Sequence, residues 1–203
     1  MIRLLLRIAI LASVLVLAPT WHPAPASAGE IAGLKPVASQ PSAADLKPGL
    51  AVQFYYKMFE EIREVDDWAG YKKGVPGEPI KLLDFRTTNG KVFDSGVSEG
   101  VGMYITGLIH FDKPGDWSLV VRSNDGVRVE LAGQKIIEDP GIHGDRYSDS
   151  AVLKSVAPGW YPLRITYFQK KGTAALQLFW TPPGGNDFVI VPTDALAHQP
   201  ATN

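Results

Sequence analysis

Apolar and polar positions alternate along most of the chain, most regularly between Trp117 and Glu138. Leu119 and Val121 fall on one face, opposite Ser118, Val120 and Arg122. After Ser123-Asn124-Asp125-Gly126 the pattern resumes, with Val127, Val129 and Leu131 against Arg128 and Glu130. A period of two marks half-buried antiparallel strands, and Asn-Asp-Gly is turn chemistry that tolerates positive φ. The stretch predicts two hairpins back to back. One turns at 123–126, the other at Ala132-Gly133-Gln134 before Lys135-Ile136-Ile137.

The same reasoning extends both ways. Gly49 to Tyr56 predicts an opening strand, and Phe59, Ile62 and Val65, three apart, suit a short amphipathic helix running to Trp68. Pro76, within the Gly70–Gly77 stretch, stops any continuation. Ile80 to Phe85 predicts a strand, and Thr88-Asn89-Gly90-Lys91 a tight turn into another at Val92-Phe93. Met103 to Phe111 predicts the next, turning at Lys113-Pro114-Gly115-Asp116 into the Trp117 segment. A polar loop from Asp139 to Ser150 precedes a strand at Ala151–Val156 and a turn at Pro158-Gly159. Leu163, Ile165 and Tyr167 then alternate up to a hairpin tip at Gln169-Lys170-Lys171-Gly172, and Leu176, Leu178 and Trp180 alternate beyond it. After the loop Pro182 to Asn186, Phe188 to Val191 closes the set. Many short alternating runs with scarcely any helical pattern predict an all-β, antiparallel sandwich or barrel.

The N-terminus is different in kind. Arg3 and Arg7 flank a short apolar start, Ile8 to Leu17 is almost continuously apolar, and Ala26-Ser27-Ala28 supplies small residues. These are the three parts of a secretory signal peptide, residues 1–28, cut after Ala28; an uncleaved anchor is the other reading. The apolar core is too short for a comfortable membrane span. Residues 29–48, rich in Ala, Pro and Ser, predict a flexible or extended linker. The expectation is an exported protein, periplasmic or secreted, with no membrane span after cleavage. With no cysteine, disulfides, thiolate metal sites and cysteine nucleophiles are excluded. Cleavage takes two arginines from 20 basic residues and nothing from 21 acidic ones, leaving a net charge near −3. That balance gives no electrostatic reason to bind nucleic acid or an anionic membrane.

Ser123-Asn124-Asp125-Gly126-Val127-Arg128-Val129, a glycine turn and Ile136-Ile137-Glu138-Asp139 together resemble the middle of the PA14 family of β-domains. The resemblance continues through Gly159-Trp160-Tyr161-Pro162 to Gln169, then Ala174 to Trp180, and ends at Ile190-Val191-Pro192. Gly49-Leu50 and Tyr55-Tyr56 look like the family's opening strand. It implies a PA14-like β-sandwich or barrel over residues 49–197, followed by a tail at 198–203.

The resemblance also implies a site. In sugar-binding members, two adjacent acids on this loop, joined by a cis peptide, coordinate calcium that also contacts ligand hydroxyls. Calcium takes six to eight oxygens, so carboxylates, amides, backbone and sugar hydroxyls can share one shell. Here Asn124 stands for the first acid and Asp125 for the second. Gln169 takes the place of the family's second-loop Asn, with Lys170 and Lys171 after it. Asn124, Asp125 and Gln169 are therefore the candidate calcium ligands, and with Lys170, Lys171 and Tyr147 the candidate ligand-binding set. The plain alternative is a tight turn in which Asp125 caps backbone N–H groups.

Other chemistry is thin. His143, Asp145 and Asp149 share one polar loop, where a solvated loop is the ordinary reading. Trp117 and Trp180 sit in alternating runs and predict core or rim positions, while Trp68 and Trp160 are open. No HExxH, Walker or GxGxxG motif occurs, so no enzyme is expected. The expected function is a non-catalytic carbohydrate- or glycan-binding module, calcium-assisted if the cage is kept. The alternative is a structural or protein-interaction domain of the cell envelope without metal.

Overall fold

A computed structural model describes residues 27–200. In chain order its first strands are β1 (Ser27–Ile31), β2 (Lys47–Pro48), β3 (Ala51–Tyr56), β4 (Val75–Pro76) and β5 (Asp84–Thr87). Next come β6 (Val101–Phe111), β7 (Gly115–Asn124), β8 (Val127–Leu131), β9 (Gln134–Asp139) and β10 (Arg146–Tyr147). The last are β11 (Ser150–Val156), β12 (Gly159–Gln169), β13 (Ala174–Thr181), β14 (Val189–Ile190) and β15 (Leu196–His198). One α-helix, α1 (Ile62–Tyr71), occurs among the described residues.

Two sheets form a β-sandwich, as the alternation predicts. The first has the order β1-β11-β7-β13-β14, with β10 beside β7 and β5 beside β13. The second runs β2-β15-β6-β12-β8-β9, with β3 pairing both β4 and β6. Each long strand sends alternate residues inward: Trp117, Leu119 and Val121 from β7 meet Val127, Val129 and Leu131 from β8 and Leu163, Ile165 and Tyr167 from β12. Trp117 and Trp180 are core, their rings 4.7 Å apart, as expected. A second, smaller cluster of Tyr55, Phe59, Ile62, Val65 and Phe168 seats α1 on the outer face of the second sheet.

Several expected connections differ. The Asn124-Asp125-Gly126 turn does not make a hairpin: β7 and β8 belong to different sheets and face one another across the core. The tip at 169–172 likewise carries the chain from β12 to β13 in the opposite sheet. Turn chemistry and alternation are the same for a hairpin and for an arch between sheets, because both put the apolar face on the core side. The β8–β9 hairpin at Ala132-Gly133 is formed as expected. Val92-Phe93 is not a strand, although Val92 is buried and Phe93 stacks on Phe85 at 4.1 Å.

Residues 29–48 are not a free tether. β1 pairs in parallel with β11, and Leu34 is buried in the main core. The Val37 amide donates to the Trp160 carbonyl, and the Gln40 side chain accepts from the Trp160 amide. An extended segment makes no backbone hydrogen bonds within itself, so a sheet edge that supplies partners and one apolar anchor hold it. Residues 1–26 and 201–203, and with them most of the expected signal peptide, lie outside the described residues.

Candidate ligand-binding site

Both arches lie at the same apex, and they are bonded to each other. The Asp125 amide donates to the Phe168 carbonyl at 3.3 Å, and the Phe168 amide to the Gly126 carbonyl at 3.0 Å. The peptide bond between Asn124 and Asp125 is cis. Gly126 is required where it stands: a Cβ there would lie 2.5 Å from the Phe168 ring and 2.7 Å from the Pro140 carbonyl oxygen. Residues 124–125 and 169, which the sequence places 44 positions apart, thus share one spot.

Asp125 is buried, and each carboxylate oxygen accepts a backbone N–H. Oδ1 takes the His143 amide at 3.2 Å and Oδ2 the Lys170 amide at 2.8 Å. Burial pushes its pKa up, an effect that the two backbone hydrogen bonds oppose. No ion pair reaches it among the described residues. Asn124 offers its amide beside it, and its main-chain carbonyl accepts from the Tyr167 hydroxyl at 2.6 Å.

Gln169 departs from expectation. Its side chain is fully buried, with Nε2 donating to the Gly172 and Thr173 carbonyls at 3.4 and 3.1 Å. Its Oε1 lies 3.4 Å from the Tyr167 hydroxyl. A glutamine whose oxygen faces inward and whose nitrogen closes a turn shapes the tip; it is not placed as a cation ligand. Lys170 is held aside by Glu60 at 2.7 Å, and Lys171 is exposed. Tyr147 is half exposed on the outer face of the first sheet, 5.6 Å from the Phe179 ring and beneath the Arg122 guanidinium.

The polar loop does not converge on a metal. His143 turns inward, with Nε2 3.2 Å from Asp139 Oδ2 and Nδ1 2.8 Å from the Gly144 carbonyl. Asp145 is engaged by Arg122 and Arg86, and Asp149 stays exposed. Among the described residues no group of three or more His, Asp or Glu side chains is suited to an ion. The chemistry of Asp125 still fits a cation, since its buried carboxylate lacks a cationic side chain. Asp125 and Asn124 would hold such an ion, with backbone, water and ligand hydroxyls supplying the remaining oxygens. What sequence reasoning missed here is Arg86 and Arg122, whose place beside the apex follows only from the pairing of β5 and β7 with β13.

The chain is thus a two-sheet β-sandwich with polar groups gathered on two adjoining arches. Residues 91–194 match the family model described as PA14 domain, and the chain belongs to the PA14 family. The PA14 domain of the MpAFP antifreeze protein aligns with a TM-score of 0.65 at 15% identity, over 81% of this chain and 97% of that one. A PA14 sugar-binding domain from an RTX adhesin gives 0.57 at 22%, over 74% and 98%. The epithelial adhesin 9 A domain of Candida glabrata, in complex with Galb1-3GlcNAc, gives 0.61 at 11%, over 82% and 96%. At such identities the likeness speaks for the fold. No curated protein matches the chain in sequence. No helix among the described residues is long and apolar enough to cross a membrane.

Proposed function

We propose that the protein is an exported, non-catalytic glycan-binding module whose ligand docks at the apex formed by residues 124–126 and 168–172. The observation that carries this reading is the Asn124–Asp125 pair, a buried amide and a buried carboxylate without a cationic partner, side by side where two arches meet. Sugar hydroxyls suit such a pair, and half-exposed Tyr147 pairs with Arg122, two residues before Asn124. A calcium ion at Asp125 and Asn124 would supply the missing counter-charge and accept ligand hydroxyls.

The metal-free reading, an interaction domain of the cell envelope, is favoured by one observation. Asp125 already accepts two backbone N–H bonds, so the apex closes without an ion. A glycan array with and without chelator separates the two. Calcium-assisted recognition predicts glycan binding lost on chelation and a melting temperature raised by millimolar calcium, a rise that Asp125→Asn abolishes. Chelator-resistant glycan binding leaves the glycan reading and removes the ion. The absence of any glycan signal favours the envelope partner.

A further inference from the structure

We propose that the protein carries a second ligand site at the pole opposite the apex, a cavity that takes one ring of a neutral sugar. The cavity is lined by His110, Asp112, Trp180, Pro192, Asp194 and Ala195 and measures about 160 Å³. At about 30 Å³ for each water molecule that is room for about five, the measure of the hydroxylated side of one sugar ring and not of a chain. Register fixes its position. Val101 pairs with Gln169 at the apex end of β6, and His110 stands nine positions further along, about 30 Å at the rise of a strand. Trp180 lies five positions beyond Ala175, the partner of Asn124. Residues 192–195 carry the chain from β14 in the first sheet to β15 in the second, so the cavity lies where the chain crosses the edge of the sandwich. The site goes beyond the apex reading and does not depend on it.

The polar groups of this cavity are uncommitted. Among the described residues the His110 ring, the Asp112 and Asp194 carboxylates and the Trp180 indole N–H have no hydrogen-bond or ion-pair partner. Trp180 is only 7% exposed, with its ring against Trp117 and Phe111, yet its indole nitrogen is not among the polar atoms sealed from solvent. A side chain so deeply set meets solvent through the cavity it lines. His110 is backed by the Trp160 ring at 4.8 Å. Hydrogen-bond complementarity then names the ligand. An indole only donates, and an ionised carboxylate only accepts. An ammonium ligand would satisfy the carboxylates and leave the indole without an acceptor. A carboxylate or phosphate would serve the indole and meet Asp112 and Asp194 as like charges. Lys113, next to Asp112, is exposed and does not line the cavity. A hydroxyl both accepts and donates, and a sugar ring brings several at fixed spacing.

The test titrates the isotope-labelled protein with glucose, galactose, mannose and N-acetylglucosamine, and with acetate and ethylammonium, which carry no hydroxyl. The readout is the Trp180 indole N–H resonance, identified by its loss in Trp180→Phe or, should that variant not fold, by its proximity to the Phe111 and Trp117 rings. The expected result is a shift that saturates at millimolar concentration with at least one of the sugars and with neither of the small ions. Asp112→Ala combined with Asp194→Ala, both at exposed positions, should weaken that binding by about ten-fold while the fold stays intact. No shift with any of the sugars overturns the inference. So does an equal shift with acetate or ethylammonium, or a sugar affinity that survives the double substitution. The indole reports on this pole alone, so its answer holds whatever the apex binds.

Discussion

Tyr167 is the residue on which the apex turns. It is fully buried, and its hydroxyl donates to the Asn124 carbonyl, so the main chain of one arch is tied to the root of the other. Tyr167→Phe keeps the ring and leaves that carbonyl without its donor. A buried acceptor stripped of its partner costs about 1–3 kcal/mol, to be read from urea denaturation at neutral pH. The same variant should weaken any ligand bound at Asn124, because the loop loses its fixed position. Unchanged stability and unchanged binding would remove Tyr167 from the design. Its neighbour Gln169 illustrates what residue type alone conceals. A polar residue after an apolar run reads as an exposed tip, yet here the amide is consumed by Gly172 and Thr173. Asp125 reads both ways: it caps backbone N–H groups, as the plain turn reading expects, but those groups belong to remote loops.

At the scale of elements, the strands were legible and their partners were not. Period-two alternation located β6, β7, β8, β12 and β13, because each turns one face to the core; the outer face, where α1 covers the end of β12, is more polar along most of their length. Alternation says nothing about whether the next strand lies alongside or opposite, so two arches read as hairpins. The helix came later than its spacing suggested, since Phe59 packs from the loop before it and the helical turns run on to Tyr71. α1 is fastened by Asp66, which accepts from the Tyr104 hydroxyl at 2.8 Å and from Arg128 at 2.7 Å. Its Ile62 amide donates to the Pro140 carbonyl, the oxygen that crowds Gly126, so the helix backs the apex. The segment before β2 offers the cleanest test of packing against composition. Leu34→Ala removes a buried side chain from the main core and should cost about 2–4 kcal/mol, where a free tether predicts nothing. Chemical denaturation of the single variant decides between them.

For the molecule as a whole, a sandwich without disulfides rests on its core, and its tyrosines make that core sensitive to alkali. Burial pushes the phenols of Tyr55, Tyr104, Tyr161 and Tyr167 above the ordinary tyrosine range, and at Tyr104 the hydrogen bond to Asp66 adds to it. A raised folded-state pKa means that the native chain keeps its proton at a pH where the unfolded chain, with phenols near 10, gives it up. The stabilisation is whole below that value and is lost as pH climbs through the window above it. Stability should therefore fall steeply above about pH 10, with several groups adding to the slope. Tyrosinate absorbance from these four rings should grow only as the fold is lost, in step with the far-ultraviolet signal. Tyr104→Phe should make the fall shallower while lowering stability at neutral pH, because Asp66 then loses a donor. If every tyrosine ionised near pH 10 with the sandwich intact, Tyr161 and Tyr167 could not be sealed in the core, and the register that places Tyr167 behind Asn124 would fall with them.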